Sequence, residues 1–466
     1  MEKQLGNRLA DAAVLAAAVL VAVVSARPYA DSSNDGSRLA AVEALVDQHT
    51  LAIDESIFVK VPPDGPRSRQ PYPFHPLEEG TIDKIKVGEH FYSDKPYTLS
   101  LYLAGWYALL QKTTGLSARD RADLFCWWMT LLSSGAAYVA AVWCVYRMGR
   151  TVGLPLSRQL LVAGSFALGT IALPYSQHVN SHIVLLALAA ALVGSLATVA
   201  HGPGGERVPP WRVLGLGTLA GLGYAVEQGV GQLLWGWTLV VIVWRWRPGR
   251  AVPLFLAASL PWLVLHHTVN YAIGGTFGPA NAVSAYFNYP GSAFTESNLT
   301  GRWTHRNALW FLGYAGGLLV SDRGFLLSNL PLCLLLPGTV ALVRSGKANW
   351  VTGFGAAWAL STYLLYATLS SNFSGECLSI RWFVPLLAPG FYALALLLYH
   401  FPSYLGDFVL LSTWGLVVET VMWTSGMWQA RVPFFWPLVG AAVTSWLAYR
   451  LVRRRRGEQR PCAAPT

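Results

Sequence analysis

Apolar residues run along this chain in continuous stretches of helical length, separated by short polar joints. The stretches stand at about 10–27, 123–146, 157–174, 183–200, 211–227, 229–244, 251–267, 325–343, 351–368, 381–399, 404–424 and 433–451. Crossing the hydrocarbon core of a bilayer takes roughly 20 helical residues, and a backbone without water to bond must close its hydrogen bonds in a helix or a closed barrel. No stretch shows the ten-residue alternation of a barrel strand, so the pattern predicts an all-α polytopic membrane protein with about twelve transmembrane helices, in a range of 11–14. Thr98–Leu110 and Ala308–Val320 are apolar but short. Counting either as a span would carry basic loops to the wrong side, so both are read as interfacial or re-entrant helices.

Basic residues set the sides. Lys3 and Arg8, then Arg147, Arg150 and Arg158, Arg207 and Arg212, Arg245, Arg247 and Arg250, Arg344 and Lys347, and the run Arg453–Arg456 all fall on one side if the twelve stretches alternate. An excess of Lys and Arg marks the cytoplasmic side, which places both termini there. The opposite side receives a first outer loop at 28–122 with interfacial helices, short turns at 175–182, 227–231 and 370–381, and a second long outer loop at 268–324. Residues 452–466 form a cytoplasmic basic tail, and 1–466 read as one integral membrane domain.

Composition agrees. Hydrophobic residues make up 53% and charged residues only 12%, against roughly 25% charged in soluble proteins, so the bilayer is the solvent. The formal charge of +10 is divided among short loops rather than gathered in a patch, which argues against nucleic acid as a partner and for membrane lipids. The five cysteines have no CxxC spacing, so neither a disulfide framework nor a thiolate metal site is indicated. The first apolar run reads as an uncleaved anchor. Walker, Rossmann and HExxH patterns are missing, and every expected inner loop is too short to hold a nucleotide sugar.

Candidate chemistry collects in the outer loops. Asp35, in Ser33-Asn34-Asp35-Gly36-Ser37-Arg38, stands within about ten residues of the first membrane exit. It is placed either to take a proton from an acceptor hydroxyl or to cap a helix beginning near Ser37. Asp94 and Lys95 precede Pro96 and an apolar helix; Lys95 suits a phosphate and Asp94 a divalent cation, and the pair equally suits the charged flank of an interfacial helix. His178, Asn180 and His182 lie in one outer turn and Glu227 at the end of a span, where a carboxylate is costly unless it faces a polar cavity. Tyr286 and Arg302 belong to the second long outer loop with Glu296, and Arg381 opens a helix after a Ser/Gly-rich turn, as a phosphate ligand or a snorkelling anchor.

An Asp-x-x-Arg soon after the first transmembrane helix, followed by Phe91-Tyr92-Ser93-Asp94-Lys95-Pro96 leading into a hydrophobic helix, resembles the membrane-embedded glycosyltransferases of the GT-C class. The likeness is greatest to the branch containing protein O-mannosyltransferases and the lipid A aminoarabinose transferases, and is clearest over 27–110. It implies a GT-C-like bundle in a bacterial inner membrane. It also implies Asp35 as the catalytic acidic residue, Arg38 as the following arginine, Asp94 in place of a Glu that sometimes serves a metal, and Lys95 as the phosphate lysine. Two departures stand out: Gly36 where an acidic residue often follows, and Tyr97 in place of a second Pro. The expected function is transfer of a sugar from a polyprenyl-phosphate-linked donor to an envelope lipid, glycan or protein acceptor, with inversion. Asp35 would act on the acceptor, Lys95, Arg381 and Arg302 on the donor phosphate, and Arg38, His178, Asn180, His182, Glu227 and Tyr286 on acceptor or sugar. No cofactor is called for by the residues themselves, and Asp94 is the candidate position for a divalent ion. The competing readings are a flippase for lipid-linked saccharide and a noncatalytic envelope protein.

Overall fold

The computed structural model describes residues 2–62, 69–73, 80–202, 208–246, 248–294, 301–375, 377–429 and 431–456. Arg207, Arg247, Glu296 and the tail beyond Arg456, all singled out above, lie outside them.

Each of the twelve expected stretches has a helical counterpart. The chain runs α1 (Glu2–Ser25), α2 (Ser33–Asp47), strands β1 (Lys84–Val87) and β2 (His90–Ser93), α3 (Tyr97–Thr114), α4 (Ala122–Thr130), α5 (Ala136–Val152), α6 (Leu156–Leu168), α7 (Ser181–His201), α8 (Pro210–Val226), α9 (Val230–Arg245) and α10 (Pro248–Gly274). It continues through α11 (Ala308–Val320), α12 (Phe325–Ser328), α13 (Leu335–Arg344), α14 (Trp350–Leu369), α15 (Leu387–His400), α16 (Leu405–Ser425) and α17 (Phe435–Arg455). Among the described residues six helical segments are by themselves long and apolar enough to cross a bilayer, and the pair 308–328 and 330–344, bent by 106° at Asn329, makes up to seven. The other counterparts are shorter or less apolar. The outward surface carries large apolar side chains such as Leu20, Leu260, Leu360 and Leu447, each more than half exposed. Water would penalise such a surface and lipid would not.

Helix α8 is seated on α10 through Gly217 and Gly221, one turn apart: a Cβ on the first would lie 2.5 Å from the Phe255 carbonyl oxygen, and on the second 2.7 Å from the Ser259 Cα. Small residues at that spacing let two helix backbones touch, which is how helices associate where lipid removes the hydrophobic drive.

At one end Arg150 bonds Asp11, Arg158 donates to the Leu398 carbonyl (3.1 Å), and Asn349 and His201 both meet the Tyr392 hydroxyl. Buried Asp407 accepts from Arg450 Nε (2.5 Å) and Trp446 Nε1 (2.7 Å). The first helix and the last are both tied down at this end, α1 through Asp11 and α17 through Arg450. The opposite end is covered by α2, α3 and the β1–β2 hairpin, which with α4 form a second apolar core around Leu39, Val42, Phe58, Leu103, Tyr107 and Phe125.

Two boundaries differ from the sequence reading. Helix α2 begins at Ser33, not near Ser37, because Ser32 is the N-cap: its hydroxyl accepts from the amides of Asn34 and Asp35, and Asp35 returns a bond to the Ser32 amide. This reciprocal capping box starts the helix four residues earlier. Helix α6 stops at Leu168, six residues short of the expected 174, where the chain turns and the Asn329 side chain accepts from the Ile171 amide (3.0 Å).

Candidate active site

The β1–β2 hairpin is a local consequence of sequence. Ile85 and Val87 alternate with Lys84 and Lys86, Gly88-Glu89 supplies a two-residue turn, and the register pairs Lys84 with Ser93 and Val87 with His90. One step beyond the paired residues, Asp83 therefore stands opposite Asp94. Lys95 bridges them, its Nζ 2.8 Å from Asp83 Oδ2 and 2.7 Å from Asp94 Oδ2, with the three side chains only 9–15% exposed. Burial works against ionisation of both carboxyls. At Asp94 burial prevails, reinforced by Asp83, and the group sits above the ordinary carboxylate range; at Asp83 the Lys95 ammonium, with Arg381 and Arg38 behind it, overcomes burial and holds the group below it.

Helix α2 contributes Arg38, 2% exposed, which donates to the Asn34 carbonyl (3.0 Å), to Asn34 Oδ1 (2.5 Å) and to Ser181 Oγ (2.6 Å). Ser181, first residue of α7, donates in turn to Glu227 Oε2, and His182 Nδ1 lies 3.7 Å from the same oxygen. Asn180 is the N-cap of α7, its Oδ1 accepting from the His182 amide (2.8 Å). Ser37 Oγ lies 2.7 Å from Ser93 Oγ and 3.4 Å from Asp94 Oδ1, joining helix to hairpin. The guanidinium of Arg381 stands over the Trp428 ring (5.8 Å) and close enough to act on Asp83, His182 and Glu227. Residues from five distant parts of the sequence thus meet: Arg38, Asp83 with Asp94 and Lys95, Ser181 with His182, Glu227, and Arg381.

Several polar atoms in and beside this cluster are buried without a hydrogen-bond partner: Arg38 Nε, Arg381 Nε, Asn180 Nδ2, His178 Nδ1 and His182 Nδ1. Interiors rarely leave polar groups so, and a concentration of them marks a place prepared for a ligand or water. Asp94 and Lys95 also border a small cavity with Gln228, His266, Asn270 and Asn281, whose free space of about 20 Å³ holds roughly one water. A larger groove of about 680 Å³ opens beside α11, lined by His305, Arg306, Trp310, Tyr314 and Phe373.

Asp35 serves the helix start. Its Oδ1 accepts from the Ser32 amide (2.9 Å) and hydroxyl, its Oδ2 from the Asp31 amide (2.9 Å), and it is 1% exposed. His178 Nδ1 lies 3.3 Å from Oδ2 but is not aligned to bond it. Replacing Asp35 by Asn turns one acceptor into a donor facing an amide N–H, so Asp35→Asn is expected to lose about 1–2 kcal/mol in a denaturation midpoint measurement. Gly36 has a steric cause: a Cβ there would fall 1.9 Å from the Tyr72 hydroxyl, which donates to the Phe58 carbonyl (3.2 Å). A second carboxylate next to Asp35 has no room.

The remaining expected residues are dispersed. Tyr286 gives its hydroxyl to the Gly274 carbonyl (3.0 Å), closing the end of α10, and Arg302 is exposed on the segment before α11 rather than buried with the cluster. Among the described residues no three His, Cys, Asp or Glu side chains are grouped as they would be to hold a metal ion. Asp83 was not anticipated; the signal for it was the alternation and turn of the hairpin, which fix what faces Asp94.

No protein-family profile and no curated protein matches the chain. Among solved structures it is similar to ArnT from Cupriavidus metallidurans bound to undecaprenyl phosphate, at 14% identity and a TM-score of 0.48 over 95% of this chain and 72% of that one. It is similar to the same protein in the apo state at 12% identity and a TM-score of 0.48, over 88% and 63% of the two chains. It is also similar to the apo oligosaccharyltransferase of Archaeoglobus fulgidus, at 12% identity and a TM-score of 0.43, over 94% and 54%.

Proposed function

We propose that this protein transfers a sugar from a polyprenyl-phosphate-linked donor to an envelope lipid, glycan or protein acceptor, with inversion, at the membrane surface where the cluster lies. The observation that carries the reading is Lys95 packed through Asp94 and Ser37 against the helix that bears Arg38, with partnerless buried polar atoms beside them and the charge of Arg381 bearing on the same carboxylates. A glycosyl phosphate needs fixed positive charge where its leaving oxygen gains negative charge, and preorganised cations supply it without a strong general acid. The prenyl tail would stay in lipid while its head reaches the cluster.

In the step proposed, the acceptor oxygen forms a bond to the anomeric carbon from the face opposite the phosphate. The carbon–oxygen bond to phosphate breaks, and its electron pair leaves on the polyprenyl phosphate beside Lys95 and Arg381. Glu227, whose oxygens are tied to no backbone group, receives the acceptor proton; Asp35, occupied by the helix cap, fixes the start of α2 and with it the place of Arg38.

The test is purified protein reconstituted in sealed lipid vesicles and given a radiolabelled polyprenyl-phosphate sugar with envelope extract as acceptor. Release of free polyprenyl phosphate with label moving into the acceptor is expected. Movement of intact donor across a sealed vesicle with no cleavage would instead establish the flippase reading, and neither transfer nor movement would leave a noncatalytic membrane protein.

A further inference from the structure

Lys95 has three N–H donors, and two already point at carboxylates, Asp83 at 2.8 Å and Asp94 at 2.7 Å. Three charges of this kind, fully ionised, sum to one negative charge. A phosphate approaching Lys95 would therefore meet a group already more than neutralised. Asp94 cannot withdraw far, being next to Lys95 in the chain and tied to Asn281 through its carbonyl (2.8 Å) and to Ser37 through its carboxylate (3.4 Å). Asp83 arrives from another segment, across the hairpin. Its side chain has no hydrogen-bond partner among those described other than Lys95, while its amide is held by Thr81 Oγ1 (3.1 Å). The cavity that Asp94 and Lys95 border has free space for about one water, so a phosphate at Lys95 has to displace a group already there.

We propose that Asp83 is a positioning residue that occupies, in the ligand-free protein, the face of the Lys95 ammonium a donor phosphate takes, so that binding exchanges the Asp83 carboxylate for a phosphate oxygen. This rests on the reading of the protein as a user of polyprenyl phosphate. The exchange keeps Lys95 extended and paired before the donor arrives, and it sets a penalty on anionic ligands too weakly charged to displace a carboxylate. Asp83 thereby selects a phosphate over a singly charged carboxylate head.

Binding of undecaprenyl phosphate to detergent-purified wild type, Asp83→Asn and Asp83→Glu tests it, with oleate as the carboxylate competitor. Asp83→Asn is expected to bind the phosphate about tenfold tighter and to lose part of its preference over oleate, while Asp83→Glu restores wild-type values. A merely structural role would move affinity the other way, together with the melting temperature. Unchanged or weaker binding by a folded Asp83→Asn protein, with wild type binding normally, overturns the inference; should the Asn protein not fold, Asp83→Ser takes its place with the same two outcomes. Wild-type protein that does not bind undecaprenyl phosphate at all would overturn the proposed function instead.

Discussion

Lys95→Met is expected to lower kcat/KM for sugar transfer by about 10²–10³-fold, the usual loss when one preorganised group that meets developing charge is removed. It is also expected to cost about 3 kcal/mol of stability, because it leaves Asp83 and Asp94 facing each other in a largely buried place with no cation between them. The two effects separate in the double variant Lys95→Met/Asp83→Asn. Removing one of the stranded carboxylates should recover most of the thermal stability and none of the activity. A single variant that transfers sugar at the wild-type rate would remove Lys95 from the reaction, whatever its melting temperature.

Glu43 sets the second large effect, on stability against pH. Its carboxyl lies within the core beneath α2, accepting from Ser56 Oγ (2.5 Å) and the Ile57 amide (3.0 Å). Burial nonetheless pushes its pKa up from 4.5 to about 7. A raised folded value means the native state prefers the protonated form: as pH climbs from 4.5 to 7 the unfolded chain gives up this proton and the folded chain keeps it, so stability falls through that window and is level above it. At about 1.4 kcal/mol per unit the whole fall is on the order of 3 kcal/mol. Glu43→Gln can accept the same two bonds without a charge. It is expected to match wild type near pH 4.5 and to exceed it by up to about 3 kcal/mol at pH 8, measured by thermal unfolding of the purified protein. Parallel curves for the two proteins across that range would refute the assignment.

Much of the architecture could be read from apolar run length and the placement of arginines, because the bilayer imposes both. The ion pairs Arg150 with Asp11 and Arg450 with Asp407 join helices that the apolar runs had marked out. The positions that escaped were those decided by neighbours remote in sequence. Nothing around Gly36 announces Tyr72, and nothing in α6 announces that Asn329 will hold the Ile171 amide and end the helix early. Glu419 is another: on α16 it is fully buried with both carboxyl oxygens unpartnered, a group whose isolation among Val418 and Met422 shows only once the helices are packed. For the candidate site, the sequence named Arg38, Asp94, Lys95, His182, Glu227 and Arg381, which converge. It also named Arg302 and Tyr286, which stand at the surface and at the end of α10, because an aromatic or basic residue in an outer loop carries no mark of which way the loop folds. Asp35 lay between the two readings its sequence allowed, and its oxygens turned out to be those of a capping box.

The turn Gly88-Glu89 is a length standard for everything that happens at Lys95. Side chains alternate faces along a strand, so one residue added to or taken from either arm would swing the next carboxylate to the far side of the ribbon and leave the ammonium with a single neighbour. An insertion inside the eight paired residues or their turn rewrites the charge that an arriving headgroup encounters.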